Sequence, residues 1–273
     1  MIAAMVGDTH GNLKEMWRMA LGWQEQTGSE LDFIFQVGDF GVFPDEERLD
    51  HPSRKYAERH GQSIESAVGD FPYLLTGEVT VPVPTYFIRG NHEDQKFLLD
   101  LEREAGSYRL RHPIEVVPNL FYVPDGCIFE VEGLRIAGWG GAWGAKTWEM
   151  GYWSAERLNS PRRLNHLTRD VFERLIRQRF DVLVTHDGPT GIGLRGALHG
   201  EKNLPSEELT TTSEEGGGVP YIRELIETSG CQYSFSGHWH EPHQVRVGGS
   251  NHYSLDKVHA EGDNSKAMVV IEL

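Results

Sequence analysis

Five short segments of this sequence combine a glycine or threonine with side chains that bind divalent metals. Each segment directly follows a run of apolar residues of the length expected for a buried strand. Seven carboxylate, amide or imidazole groups share this placement: Asp8, His10, Asp39, Asn91, His186, His238 and His240. Oxygen ligands combined with imidazole nitrogens suit Mn, Fe or Zn, and no thiolate belongs to the set. The chemistry that these residue types predict is metal binding.

The number of candidate ligands predicts two metal ions. Seven ligands are too many for one ion, whereas two ions that share a carboxylate need about four protein groups each. Asp39 is alone in its segment, so we expect it to bridge the ions. The expected assignment places Asp8, His10 and His240 on one ion, and Asn91, His186 and His238 on the other.

His92 follows the ligand Asn91 but is free of the metals in this assignment. Because an imidazole changes charge near neutral pH, His92 can donate a proton to a departing oxygen. We therefore predict a catalytic role for His92, and Asp8 and Glu93 are both candidates to orient its ring. The eight histidines outside the five segments are interpreted as ordinary surface or core groups, and they include His51, His60, His112, His166, His199 and His259.

The apolar runs define the elements that must position these groups. Strands are predicted at residues 2–6, 33–37, 85–88, 182–184 and 233–235. Apolar residues with helical spacing predict amphipathic helices from Leu13 and, more weakly, over residues 171–179. Turn residues separate runs at 120–123, 127–131 and 134–137, which predicts antiparallel strands there. This order predicts an α/β (α+β) fold, a mixed sheet sandwich flanked by helices, with the five segments converging outside the carboxyl ends of the strands.

Length and composition agree with one enzyme-sized unit. The 273 residues, 38% of them hydrophobic, predict a single domain over residues 1–273, with a mobile polar loop at residues 201–218. A net charge of -15 disfavours general binding to duplex nucleic acid. Two cysteines without a CxxC pair, no leader-like start and no apolar stretch of membrane-spanning length predict a cytoplasmic protein without a membrane partner.

The order of the motifs resembles that of the calcineurin-like metallophosphoesterase superfamily. The resemblance rests on Gly-Asp-x-His-Gly at residues 7–11, Gly-Asp at 38–39, Gly-Asn-His-Glu at 90–93, His186, and Gly-His-x-His at 237–240. It implies a two-layer sheet sandwich, a nucleophilic hydroxide that bridges two metals, and action of His92 on the leaving group. The expected activity is hydrolysis of a phosphoester.

The residue after the second motif bears on the kind of phosphoester. Family members that are protein phosphatases continue this motif with an arginine that binds a phosphomonoester dianion, whereas Phe40 and Gly41 follow Asp39 here. We therefore predict a phosphodiesterase, and Arg89 or another arginine is a candidate to replace the missing one. A phosphomonoesterase acting on a small metabolite or phosphoprotein is the alternative, and a non-catalytic binding protein of the same fold is a weaker one.

A second resemblance, to RNA lariat debranching enzymes, points to a nucleotide, single-stranded or branched nucleic acid as substrate. It rests on Gly-Asp-Phe at residues 38–40, on residues 117–122, 133–136 and 186–189, and on Ser-Leu-Asp-Lys at 254–257, although Asp8 stands where many debranching enzymes have cysteine. Trp139, Trp143, Trp148, Tyr152 and Trp153 could stack nucleobases or simply pack on the sheet. Arg157, Arg162 and Arg163 lie just beyond them and add local positive charge.

Overall fold

The computed structural model describes residues 1–106, 112–194 and 217–273. Within these residues the strands form two six-stranded sheets that pack face to face. In chain order the strands are β1 Ile2–Val6, β2 Phe33–Gln36, β3 Thr85–Phe87, β4 Ile114–Val117, β5 Leu120–Tyr122, β6 Ile128–Val131, β7 Leu134–Trp139, β8 Val182–Thr185, β9 Tyr233–Ser236, β10 His243–Val247, β11 Ser250–Ser254 and β12 Met268–Glu272. The first sheet has the order β12-β1-β2-β3-β5-β4, and the second has the order β10-β11-β9-β8-β7-β6. The predicted sandwich of mixed sheets is therefore confirmed.

Each sheet has a parallel centre and antiparallel edges. In the first sheet β1, β2, β3 and β5 run parallel, and β12 and β4 are antiparallel to their neighbours. In the second sheet β7, β8, β9 and β11 run parallel, and β6 and β10 are antiparallel to theirs.

Helices cover the outer face of each sheet. Helix α1 begins at Leu13, buries Met16 and Trp17 on the first sheet, and ends where Gly28 adopts the left-handed conformation. The helices are α1 Leu13–Thr27, α2 His51–His60, α3 Ile64–Val68, α4 Phe71–Leu75, α5 Gln95–Glu104, α6 Ala145–Trp148, α7 Ala155–Leu158, α8 Pro161–Leu164, α9 Arg169–Leu175 and α10 Pro220–Ser229.

The central core lies between the two sheets. Met5 and Phe35 of the first sheet pack in one buried cluster with Ile136, Val184 and Phe235 of the second. Separate clusters lie beneath the helices on each outer face. Burial of both faces explains why the central strands read as continuous apolar runs without alternation.

The prediction for residues 120–137 is wrong in one respect. Strands β6 and β7 form the expected antiparallel hairpin, but β5 lies in the other sheet, between β3 and β4. Residues 123–127 therefore carry the chain from one sheet to the other, because the core between the sheets needs apolar strands on both sides. Turn residues alone do not distinguish such a crossing from a hairpin.

Two further expectations concern residues 201–218 and membranes. The predicted mobile loop falls outside the described residues except for Gly217 and Gly218. Among the helices that the structure describes, none is both long and apolar enough to cross a membrane.

Candidate metal centre

All seven predicted ligands follow the carboxyl ends of central parallel strands. Asp8 and His10 follow β1, Asp39 follows β2, and Asn91 follows β3. His186 follows β8, while His238 and His240 follow β9 in the other sheet. Because these strand ends meet at one end of the sandwich, the structure brings the seven side chains together.

The first group consists of Asp8, His10 and His240, whose ligand atoms all lie within 4.8 Å of one another. Nε2 of His240 lies 2.9 Å from Asp8 Oδ2, and Nε2 of His10 lies 3.4 Å from Nε2 of His240. Ligand atoms that are each about 2.0 to 2.1 Å from one cation lie roughly 3 Å apart, so this donor set fits a divalent ion.

The second group consists of Asp39, His186 and His238. His186 Nε2 lies 3.4 Å from Asp39 Oδ1 and 2.9 Å from the amide oxygen of Asn91, which adds Asn91 to this group. The other carboxylate oxygen of Asp39, Oδ2, lies 3.9 Å from His10 Nε2 in the first group. Asp39 thus faces both groups, which is the position expected of a bridging ligand.

Glycines allow the five loops to approach one another closely. A Cβ atom added at Gly90 would collide with the backbone and carboxylate of Asp39, and one added at Gly237 would collide with the carboxylate of Asp8. The glycine before Asn91 and the glycine before His238 are therefore required because each faces a ligand from another loop. This contact gives a steric reason for two glycines of the sequence motifs.

The ligand loops carry unusual backbone conformations. Six described residues other than glycine have a positive φ, and four of them are predicted ligands: His10, Asp39, His238 and His240. Such conformations cost of order 1 to 3 kcal/mol each and persist where the surrounding structure enforces them. The fold therefore holds these side chains in place at a cost in stability, as functional sites often do.

Backbone N–H groups and burial tune the charges of the ligands. The N–H of His238 donates to both oxygens of Asp8, and the N–H of His92 donates to Asp39 Oδ1 at 2.7 Å. Burial lowers the pKa of His10 to about 4, although the charges of Asp39 and Asp8 act to raise it. His10 is consequently neutral near pH 7, which is the form that binds metals.

A carboxylate that the sequence analysis missed holds the predicted catalytic histidine. Nδ1 of His92 lies 2.9 Å from Oδ2 of Asp50 and 3.5 Å from Oγ of Ser53. Burial acts to lower the pKa of His92, but the charges of Asp39 and Asp50 and the hydrogen bond to Asp50 raise it to about 9. In the sequence, the feature that singles out Asp50 is its position as the N-cap residue of α2, where its Oδ1 accepts a hydrogen bond from the N–H of Ser53 at 2.7 Å.

Neither of the carboxylates proposed from the sequence orients His92. Asp8 belongs to the first ligand group, and both oxygens of Glu93 accept hydrogen bonds from backbone N–H groups. The donors are Phe40 at 2.7 Å, Gly41 at 3.0 Å, Val42 at 2.6 Å and Gly90 at 3.3 Å. Glu93 therefore fixes the loop that carries Asp39 to the loop that carries Asn91.

Arg89 does not face the ligands and is unsuited to bind a phosphate there. Arg89 is 1% exposed, and its guanidinium pairs with Asp125, with Nη2 at 2.6 Å from Oδ2. It also donates to the carbonyl oxygens of Leu164 at 2.9 Å and His166 at 3.1 Å. These partners make Arg89 a structural group that joins the crossing at residues 123–127 to the end of α8 and to the residues just after it.

The tryptophan-rich segment is mainly part of the core. Trp139, Trp148 and Tyr152 are buried, and Trp148 stacks on Tyr221 at a centroid distance of 4.1 Å. Trp143 and Trp153 are half-buried against the same cluster. Among the nearby arginines Arg157 is buried, with Nη2 bonded to Leu164 O, and Arg163 pairs with Glu156. The structure thus favours packing over base stacking for this segment.

Comparison with known proteins identifies similar chains. A family model described as calcineurin-like phosphoesterase matches residues 1–242. A lariat debranching enzyme of Danio rerio is 27% identical to this chain, over 88% of this chain and 40% of that protein. One of Entamoeba histolytica is 26% identical, over 93% of this chain and 68% of that protein. One of Homo sapiens is 26% identical, over 88% of this chain and 42% of that protein. A solved Staphylococcus aureus structure described as a 5′-nucleotidase aligns with a TM-score of 0.47 at 16% identity, over 99% of this chain and 52% of that one.

Proposed function

The chain belongs to the calcineurin-like phosphoesterase family and is a phosphoester hydrolase, and from this premise we propose that it is a dinuclear phosphodiesterase acting on a nucleotide or nucleic acid. The observation that carries the dinuclear part is the position of Asp39, whose two oxygens face separate groups of histidines. Mn, Fe or Zn would suit the oxygen and imidazole ligands.

Each ion would be held by the ligands that the structure groups together. Asp8, His10 and His240 would hold one ion, and Asn91, His186 and His238 the other, with Asp39 shared. When bound, two divalent cations would activate water and neutralise the negative charge that builds up on the phosphate in the transition state.

The chain's own residues then manage the leaving group. Because Nδ1 of His92 is hydrogen-bonded to the carboxylate of Asp50, the proton that His92 can give to a departing oxygen is the one on Nε2. The carboxylate of Asp50 favours the protonated ring, which is the form that acts as a general acid. Asp50 is a positioning residue because it acts through His92.

The surroundings of the ligands favour a diester. A phosphomonoester dianion would benefit from an arginine at the site, but Phe40 and Gly41 follow Asp39, and Arg89 is engaged with Asp125. A phosphodiester carries a single negative charge and needs less neutralisation. The relatives named lariat debranching enzymes support a nucleic-acid substrate, and a branched RNA is the narrower form of the proposal.

The deciding experiment compares two chromogenic substrates in the presence of Mn. We expect faster turnover of bis(p-nitrophenyl) phosphate, a diester, than of p-nitrophenyl phosphate, a monoester. Linear and 2′-5′-branched oligoribonucleotides then test the nucleic-acid part, with Asp39→Asn as the inactive control. Faster turnover of the monoester, with no cleavage of any oligonucleotide, would replace this proposal with the phosphomonoesterase alternative.

A further inference from the structure

The N-terminus of helix α2 lies beside His92, the proposed catalytic histidine. Asp50, its N-cap residue, binds the N–H of Ser53 through one carboxylate oxygen and Nδ1 of His92 through the other. The hydroxyl of Ser53, in the first turn, lies 3.5 Å from the same ring nitrogen. The flank of α2 that carries Ser53 therefore lies next to His92, on the side of the candidate metal centre where the leaving group would depart.

Helical geometry identifies which other residues share this flank. Residues three and seven positions after Ser53 lie on the same side of a helix, and these are Tyr56 and His60. Their rings stack at a centroid distance of 4.0 Å and an angle of 25°. Tyr56 is 54% exposed and, of the tyrosines, phenylalanines and tryptophans in the described residues, it is the one that lies open to solvent. The flank thus offers an accessible aromatic face next to the catalytic group.

Two basic residues border Tyr56 on the outer side of α2. Lys55 and Arg59 are exposed, lie one helical turn apart, and form no ion pair with any residue that the structure describes. Their positions differ by about 6 Å along the helix axis. Arg54 and Glu58 lie on the side of the helix away from Tyr56, and Arg54 donates to the carbonyl oxygen of Glu46. Glu58 comes three positions after Lys55 and is therefore its neighbour on the helix surface, which leaves an excess of positive charge from Lys55, Arg59 and Arg54. Positive charge is therefore concentrated beside Tyr56 in a chain whose net charge is -15.

We propose that this surface, formed by Lys55, Tyr56, Arg59 and His60, binds the single strand of the substrate that leads away from the scissile phosphate on the leaving-group side. Lys55 and Arg59 would each neutralise a backbone phosphate, and one base would stack on Tyr56. The inference rests on the proposed function and assigns to α2 the base stacking that the sequence left open for the tryptophan-rich segment. Two cations on one helix make a short binding track, which suits a single strand better than a duplex.

The test measures binding separately from catalysis. A fluorescein-labelled ten-nucleotide RNA is titrated with the full chain in a His92→Ala background with Mn, and fluorescence anisotropy gives Kd at several salt concentrations. We expect Lys55→Ala/Arg59→Ala to weaken binding about tenfold and to reduce the slope of log Kd against log salt by about 1.4, since each phosphate contact of a single strand contributes about 0.7. Tyr56→Ala should weaken binding at least about fivefold.

Controls separate this inference from general effects. Arg18→Ala/Arg169→Ala removes the same charge from exposed positions on α1 and α9 and should leave Kd within about twofold. With His92 intact, the α2 variants should retain their turnover of bis(p-nitrophenyl) phosphate, because that substrate has no strand to reach α2. Circular dichroism melting checks that each variant is folded.

The outcomes distinguish this inference from the proposed function. Three results would each overturn the α2 assignment. They are undetectable RNA binding, equal binding by the α2 variants and the control pair, and stronger binding of a duplex than of the single strand. If diester turnover remains normal in that case, the proposed function still holds. Conversely, RNA binding that depends on α2 in a protein that cleaves only monoesters would support the surface and overturn the diesterase.

Discussion

The carboxylate of Asp50 lies 2.9 Å from Nδ1 of His92, although the two residues are 42 positions apart in the chain. This pair links the N-terminal cap of a surface helix to the loop that supplies Asn91. It also gives His92 a fixed ring orientation, with Nε2 as the nitrogen that can exchange a proton with substrate.

Replacing His92 with alanine should affect chemistry more than metal binding. We expect His92→Ala to retain its metals but to lose roughly 10² to 10⁴ in turnover of diesters with poor leaving groups, because a positioned acid contributes about that much. p-Nitrophenolate departs with little need of a proton, so the loss with bis(p-nitrophenyl) phosphate should be smaller. Equal losses on good and poor leaving groups would contradict the assignment of His92 as the acid.

Replacing Asp50 should produce a milder form of the same defect. Asp50→Asn retains an oxygen for the N-cap bond to Ser53 but removes the charge that favours protonated His92. We expect turnover with poor leaving groups to fall by roughly ten- to a hundredfold, with metal content unchanged. In the His92→Ala background Asp50→Asn should have little further effect, and a full additional loss would show that Asp50 acts independently of His92.

The metal content tests the position of Asp39. Mass spectrometric metal analysis of the protein saturated with Mn should find close to two ions per chain. Asp39→Ala should reduce both binding and turnover more than Asn91→Ala, because Asp39 faces both ligand groups and Asn91 faces only one. A saturated preparation with a single ion would disprove the dinuclear site.

Trp148 should be required for stability and not for substrate selection. It is 5% exposed and packs on Tyr221, so Trp148→Ala should lower the free energy of unfolding by about 3 to 5 kcal/mol in urea denaturation. For the fraction that remains folded, turnover of RNA and of the small chromogenic diester should fall by the same factor. A selective loss on RNA would restore the base-stacking interpretation of this segment.

His252 predicts a loss of stability at mildly acidic pH. Its ring lies between Ser234 Oγ at 3.0 Å and Ser236 Oγ at 3.3 Å, and burial together with the charge of His243 lowers its pKa to about 3. An ordinary histidine has a pKa near 6.5, so the unfolded chain binds the extra proton first, and stability is lost as pH falls from about 6.5 towards 3.

Thermal melts at several pH values measure this effect. Between pH 7 and pH 5 the contribution of His252 should fall by about 2 kcal/mol. His252→Asn should melt at a lower temperature than the wild type at pH 7 but with a weaker dependence on pH. His51→Asn, at an exposed position, serves as the control, and parallel pH profiles for the wild type and His252→Asn would remove His252 as the cause.

The sequence by itself determined the phosphoesterase family, the mixed sandwich, and the loops that meet at the carboxyl ends of the strands. It did so because a strand end fixes where its following residues lie, and because glycines such as Gly90 mark close contacts between loops. The tertiary structure decided that Asp50 orients His92, that Arg89 pairs with Asp125, and that β5 and β6 belong to different sheets. Each of these is a contact between segments that are distant in the chain or that have equivalent local patterns. Local residue spacing predicts the position of a side chain on its own element, but partners such as Asp50 and His92 are set by how the elements pack.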